Sequence, residues 1–239
     1  DIIILGHADL ISPDQINELR NDYPNVRIGQ WFLDPLNKKG PDFERNKDRI
    51  LNKINSVDAT FLTTSPSALN FIPKDRSFYI PNPADKSFET LNNFNKSCNV
   101  DVFFALSHGV HRGVLKYGKT DDRVNFVNKL IGLTQNAKFD VYGINNIQPI
   151  WADHYFKTIE NAKMGLNLSR GDAIKYYSSD RITQIMGNGL VCLIDEKTQY
   201  RDFFNDKEMV FYKNINDLSE KILRISNDEK LRRTIGKNG

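Results

Sequence analysis

Tyr176 to Asp195 reads "YYSSDRITQIMGNGLVCLID": two serines, a short helix-period run, a Gly-x-Gly stop and an apolar strand. A helix that halts at glycine and then delivers a β-branched run is the second half of a βαβ unit, so the stretch predicts a parallel sheet. On a helix starting near Asp180, residues Ile182, Ile185, Met186 and Gly189 share one side, while Arg181, Gln184 and Asn188 fall on an adjoining one. Ser178 and Ser179 are its N-cap candidates. A helix so placed aims an arginine and a glutamine beside an N-terminus whose unpaired N–H groups attract anions. A guanidinium grips phosphate and a glutamine amide binds vicinal hydroxyls. The same spacing also describes an ordinary solvated polar face, and the local pattern leaves both readings open.

The alternation continues on either side. Upstream lie the strand "VDVFFALS" (Val100 to Ser107), the helix "DDRVNFVNKLIGLTQ", the strand "KFDVYG", the helix around "ADHYFKTIENA" and the strand "KMGLNLS". Downstream come the short strand "MVFY" and two expected surface helices, "NINDLSEKILRIS" and "DEKLRRTIGK". Five strands in βαβ order predict a doubly wound domain. The first third repeats the theme with "IIIL", a helix capped by Ser12 with Pro13 at its first position, the strand "VRIGQWFL", the helix "DFERNKDRILNKI", the strand "ATFLTT" and then "SFYIPNP". "ADKSFETLNNFNKSCN" is polar, Asn-rich and weakly periodic, and reads as a linker. The predicted class is therefore α/β, with two doubly wound parallel-sheet domains over residues 1–83 and 99–239 joined by residues 84–98. No solenoid repeat or low-complexity tract interrupts the pattern.

Composition excludes several classes. With 39% hydrophobic and 26% charged residues and a net charge of +3, the chain reads as a globular protein without a nucleic-acid groove. The two cysteines, Cys98 and Cys192, lack Cys-x-x-Cys spacing, and Cys192 sits in an apolar run, which implies reduced, buried thiols and a cytoplasmic setting. No apolar run approaches the roughly 20 residues of a membrane span. "DIIILGH" reads as an interior strand and "KLRRTIGKNG" as a helix cut short, so the chain reads as a fragment, and an upstream targeting segment stays open.

In an open parallel sheet, ligands bind beyond the carboxyl ends of the strands. That rule selects "HGVHRGVLKYGKTDD" after Ser107, where Arg112 among glycines suits a phosphate or is a solvated arginine in a flexible loop. Gly143 permits a tight exit before "INNIQPIW", where Trp151 is either a stacking surface or packing. No Gly-x-Gly-x-x-Gly or Walker spacing supports a dinucleotide cofactor or an ATP cradle. His7, His108, His111 and His154 form no ligand pattern, and no Asp-x-Asp motif occurs, so metal independence is expected.

Arg181, Gln184 and Gly189, with the strand, acid, Phe-rich loop, apolar strand and helix that follow, resemble the Arg-x-x-Glu-x-x-x-x-Gly region of GT-B glycosyltransferases of the group 1 type. The likeness is greatest to the CgeB-like (spore-maturation-protein-like) branch and extends over Val100 to Gly239. It implies two Rossmann-like domains, the N-terminal, acceptor-side one incomplete, and no bound cofactor. The substrates it implies are a nucleotide-diphosphate sugar and a glycan or other hydroxyl acceptor. By this resemblance Arg112 and Arg181 lie at the donor diphosphate, Asn167, Arg170, Ser178 and Ser179 along the sugar-phosphate, and Gln184 at the ribose. Glutamine there is a departure: it replaces a glutamate and loses a charge-assisted bond. His7 and Asp34, at strand ends of the acceptor side, are the candidates for acid–base work, with structural, turn or capping roles as the alternatives. Membrane association at the inner face stays open. A non-catalytic nucleotide-sugar-binding paralogue and a nucleotide-sugar epimerase of the same fold are the competing readings; Gln184 favours the first, and the lack of an acid cluster disfavours the second.

Overall fold

The computed structural model describes residues 1–40, 42–106, 110–111, 114–115 and 122–239, and these form two compact units. The first contains residues 1–82 and 171–179. Its elements are β1 (Ile2–Gly6), α1 (Pro13–Asp22), β2 (Arg27–Phe32), α2 (Phe43–Lys53), β3 (Ala59–Leu62) and β4 (Ser77–Tyr79), and its parallel sheet has the order β1-β2-β3-β4. Ser12 starts α1 as a capping box: its hydroxyl accepts from Gln15 N–H, and the Gln15 side chain accepts from Ser12 N–H at 2.9 Å. Two otherwise unpaired donors are thereby satisfied, an arrangement whose loss costs about 1 kcal/mol.

Both helices cover one face of this sheet. Ile16 and Leu19 of α1 meet Ile3, Leu5 and Ile28, while Ile50 of α2, with Ile54 just past its end, meets Phe32 and Leu62. On the other face Ile2, Ile4 and Phe78 stand exposed.

The second unit contains residues 83–170 and 180–239. Its elements are β5 (Val100–Ala105), β6 (Val110–His111), β7 (Val114–Leu115), α3 (Asp122–Leu133), β8 (Phe139–Tyr142), α4 (Ala152–Ile159), β9 (Ala162–Asn167), α5 (Arg181–Gly187), β10 (Val191–Asp195), β11 (Val210–Tyr212), α6 (Ile215–Asn227) and α7 (Glu229–Asn238). β6 and β7 form an antiparallel ribbon. The five-stranded sheet has the order β11-β10-β9-β5-β8 and is parallel throughout. From β5 the chain steps outward to β8, then returns to β9 on the opposite side, so the winding reverses between β5 and β9.

One face packs Val102, Phe104, Met164 and Leu193 against α3, α6 and α7; the other packs Phe103, Cys192, Ile194 and Phe211 against α4 and α5. Burial on both faces explains why these strands read as continuous apolar runs. Both cysteines are free and buried. Among the described residues, no helix is long and apolar enough to cross a membrane.

Three expectations need correction. The stretch read as a linker is part of the second unit: Asn93 is fully buried, and its amide donates to the carbonyls of Ile159 (2.8 Å) and Ala162 (2.9 Å). Its own carbonyl accepts from the buried Arg232 at 3.0 Å, which also donates to Lys96 O at 2.8 Å. A segment that docks through polar main-chain bonds needs no apolar period, so its composition imitates a linker. Secondly, α6 and α7 are core helices on one side, burying Leu218, Ile222 and Ile225 and then Ile235. Thirdly, residues 171–179 return to the first unit, where Ser65 N–H donates to Lys175 O at 3.0 Å and Lys39 pairs with Asp172 at 2.7 Å.

Candidate functional site

Open parallel sheets bind ligands where the winding reverses and adjacent connections depart to opposite faces, and in this sheet that switch point lies beyond the carboxyl ends of β5 and β9. Arg181, the first residue of α5, lies at this switch point. Its Nε donates to Ala105 O at the end of β5 at 3.2 Å, its Nη1 approaches Leu168 O just past β9 at 3.4 Å, and its Cζ lies 5.8 Å from the Phe104 ring centroid. The guanidinium therefore spans the switch point, held by main-chain carbonyls from both strands.

Two local devices put it there. Gly165 in the middle of β9 lets α5 press onto the sheet: a Cβ on it would meet the Ile185 side chain at 2.4 Å. At the far end Gly189 adopts φ +77°, Gly189 N–H donates to Met186 O at 2.9 Å and Leu190 N–H donates to Ile185 O at 3.0 Å. This is a Schellman stop, the one the Gly-x-Gly signal predicts.

The serine cap is not formed. Asp180 occupies the N-cap in helical conformation without a side-chain capping bond, while the Ser178 hydroxyl donates to Ser179 O at 2.9 Å. Both serines fold with the first unit, where Asn82 donates to Ser178 O at 2.9 Å. Asn188 also leaves the expected polar face: fully buried, it accepts from Leu91 N–H at 3.2 Å and donates to Gln184 O at 2.8 Å. Gln184 is half-buried, and its side-chain amide makes no hydrogen bond among the described residues.

The β8 side of the switch point is aromatic. Tyr142 ends β8 with its ring 6.2 Å from Phe103 and 6.3 Å from His154, and Tyr155 meets Phe103 edge-on at 5.4 Å. The Tyr155 hydroxyl is buried without a hydrogen-bond partner among the described residues. Burial raises its pKa above the usual phenol range; Arg181 opposes the shift and Asp180 adds to it, which places this part of α4 within electrostatic reach of the start of α5. Gly143 sits at φ +75°, with space for a Cβ denied by Leu106 O at 2.0 Å, so the loop after β8 lies directly on the end of β5.

Of the other predicted residues, Asn167 is buried at the end of β9 and Arg170 is half-buried beyond it. Arg112 lies outside the described residues. In the first unit His7 is exposed at φ +47°, its ring stacked on Phe32 at 5.3 Å. Asp34 faces Arg49 at 3.8 Å, and Arg49 also pairs with Asp9 at 2.5 Å. No group of three metal-ligating side chains occurs among the described residues.

Two residues escaped the sequence reading. Asp195 ends β10 on the same carboxyl edge; burial raises its pKa, partly offset by the bond it accepts from Lys197 N–H at 2.9 Å. An acid closing "LVCLID" was its only signal. Tyr155, four residues after Trp151, was legible only as helix spacing.

Residues 121–239 match a glycosyl transferase-like family. The fold is that of GT-B proteins with two Rossmann-like domains. The Anabaena protein Alr3699/HepE, solved with UDP, superposes with a TM-score of 0.60 at 11% identity over 100% of this chain and 72% of that one. Its complex with UDP-glucose gives 0.58 at 12% identity over 100% and 72%. An alpha1,3-fucosyltransferase gives 0.55 at 10% identity over 98% and 80%. No curated protein matches in sequence.

Proposed function

We propose that this chain is a glycosyltransferase that moves a sugar from a nucleotide-diphosphate donor to an acceptor hydroxyl without a metal ion. The observation that carries the reading is the Arg181 guanidinium held across the carboxyl ends of β5 and β9, inside the segment that matches the glycosyl transferase-like family. Support comes also from structural neighbours solved with UDP, UDP-glucose and GDP-fucose. The finer placement in the CgeB-like branch rests on the Arg181–Gln184–Gly189 spacing.

In this reading Arg181 binds the diphosphate. Cleavage of the sugar–phosphate bond places negative charge on the departing diphosphate, and a fixed guanidinium stabilises that charge without reorganising. Gln184 binds the ribose hydroxyls, with Arg112, Gly143, Asn167, Arg170, Ser178 and Ser179 as further donor contacts. His7 and Asp34 remain the acid–base candidates, Asp34 with its carboxylate already facing Arg49.

A thermal-shift and calorimetric panel of UDP, GDP, TDP, CDP and ADP with their sugar conjugates tests this on the native chain and on Arg181→Ala. A ligand that binds only the folded state raises the unfolding midpoint by mass action, so one nucleotide should stabilise the native chain and fail to stabilise the variant. Equal stabilisation of both proteins removes Arg181 from the site. Gln184 in place of an acid favours a second reading, a nucleotide-sugar-binding protein without turnover; tight donor binding with neither transfer nor hydrolysis would select it.

A further inference from the structure

Trp151 stands in the loop that leaves β8, at the N-cap of α4, and is 53% exposed. Tyr155 N–H donates to Trp151 O at 3.4 Å, so the two residues are one helical turn apart. Tyr155 is the residue that packs on Phe103 of β5 and lies within electrostatic reach of Arg181. Helical side chains lean toward the N-terminus, which carries this strip from Tyr155 toward Trp151. The loop itself is pressed onto the end of β5 at Gly143. β8 and β9 flank β5, so their ends lie about 10 Å apart, two strand spacings. That is the order of separation between the ring and the phosphates of a nucleoside diphosphate.

We infer that Trp151 is the stacking platform for the nucleobase of a ligand whose diphosphate is held by Arg181. The inference rests on the donor reading above and deepens it by naming the part of the ligand that this loop recognises. An indole left half in water offers an open π face, and stacking on it tolerates any base. Ile147, 42% exposed on the same loop, supplies an apolar flank. The site then selects nucleotide-linked sugars over sugar phosphates that lack a ring, and base discrimination must come from groups other than Trp151.

The chain has two tryptophans, Trp31 and Trp151, so the part of the emission change that disappears in Trp151→Leu, where Trp31 alone remains, is the part that reports on Trp151. UDP, GDP and inorganic pyrophosphate are titrated into the native chain, Trp151→Leu and Trp151→Phe, with fluorescence and calorimetry read together and circular dichroism confirming that each variant is folded. The nucleoside diphosphates should quench native emission; pyrophosphate should bind without quenching. Trp151→Leu should bind the nucleotides about 5- to 100-fold more weakly with its pyrophosphate affinity unchanged, and Trp151→Phe should recover most of the loss. Nucleotide binding of equal affinity in the native chain and Trp151→Leu overturns the stacking role while leaving the donor site in place. Failure of any nucleotide to bind the native chain overturns the donor reading and this inference with it.

Discussion

Arg181 Nε donates to the Ala105 carbonyl at 3.2 Å, a bond between residues 76 positions apart in sequence. It ties the first turn of α5 to the end of β5, and the approach to Leu168 O ties the same side chain to β9. A lysine cannot reproduce this forked contact, because its ammonium is a point charge on a flexible stem. Arg181→Lys should therefore lose about tenfold or more in nucleoside diphosphate affinity, equivalent to one charged hydrogen bond, and should also lower the unfolding midpoint modestly, because the ties to Ala105 O and Leu168 O are weakened. Calorimetry and thermal denaturation check the two halves of this expectation.

Gln184→Glu should leave the fold intact and tighten nucleotide-sugar binding several-fold, because a carboxylate forms charge-assisted bonds to ribose hydroxyls. Isothermal titration with the donor found in the panel measures it. Weaker binding would place the ribose elsewhere.

Gly143→Ala should destabilise the second unit. The new Cβ meets Leu106 O, a main-chain atom that cannot rotate away, and φ +75° strains any L-residue. A loss of about 1–3 kcal/mol in urea unfolding is expected, together with weaker nucleotide binding because the β8 loop shifts.

Acid should weaken the first unit through Asp58. A bond from Ile28 N–H at 2.7 Å, joined by Arg20, outweighs burial and holds its carboxyl below the usual carboxylate range. With the folded pKa depressed, the stabilisation is fully present above the unfolded value near 4 and is lost as pH falls through the folded value. Urea midpoints at pH 7 and pH 3 should therefore fall more in the native chain than in Asp58→Asn, which is already weaker at pH 7.

Arg232→Met should cost about 2 kcal/mol or more. It keeps the buried volume but removes the charged donor from both carbonyls, leaving Asn93 O with Lys96 N–H at 3.0 Å and Lys96 O with Arg233 at 3.2 Å, and takes the buried partner away from Glu229. Hydrogen exchange should show residues 93–98 losing protection first.

Much of the fold is legible in the chain itself. The apolar runs around Val102, Leu166, Leu193 and Phe211 mark strands buried on both faces, Ser12 with Gln15 marks a helix start, and Gly189 marks a stop. Each signal works within a few residues, over distances at which steric and hydrogen-bonding preferences act without knowledge of the rest. The site was legible in part. Arg181 and Gln184 stand out by spacing, yet the same spacing predicted a serine cap at Ser178 or Ser179 and a polar face that includes Asn188; neither is found.

The sequence by itself determined the alternation of strand and helix, the parallel class and the place where α5 begins and ends, because those depend on neighbours along the chain. Only the tertiary structure decided that Arg181 bridges β5 and β9, that residues 171–179 return to the first unit, and that Asn93 is locked by Arg232. These pairings join residues far apart in sequence. Which carbonyl a guanidinium meets depends on strand order, and strand order emerges only when both faces of the sheet are packed at once.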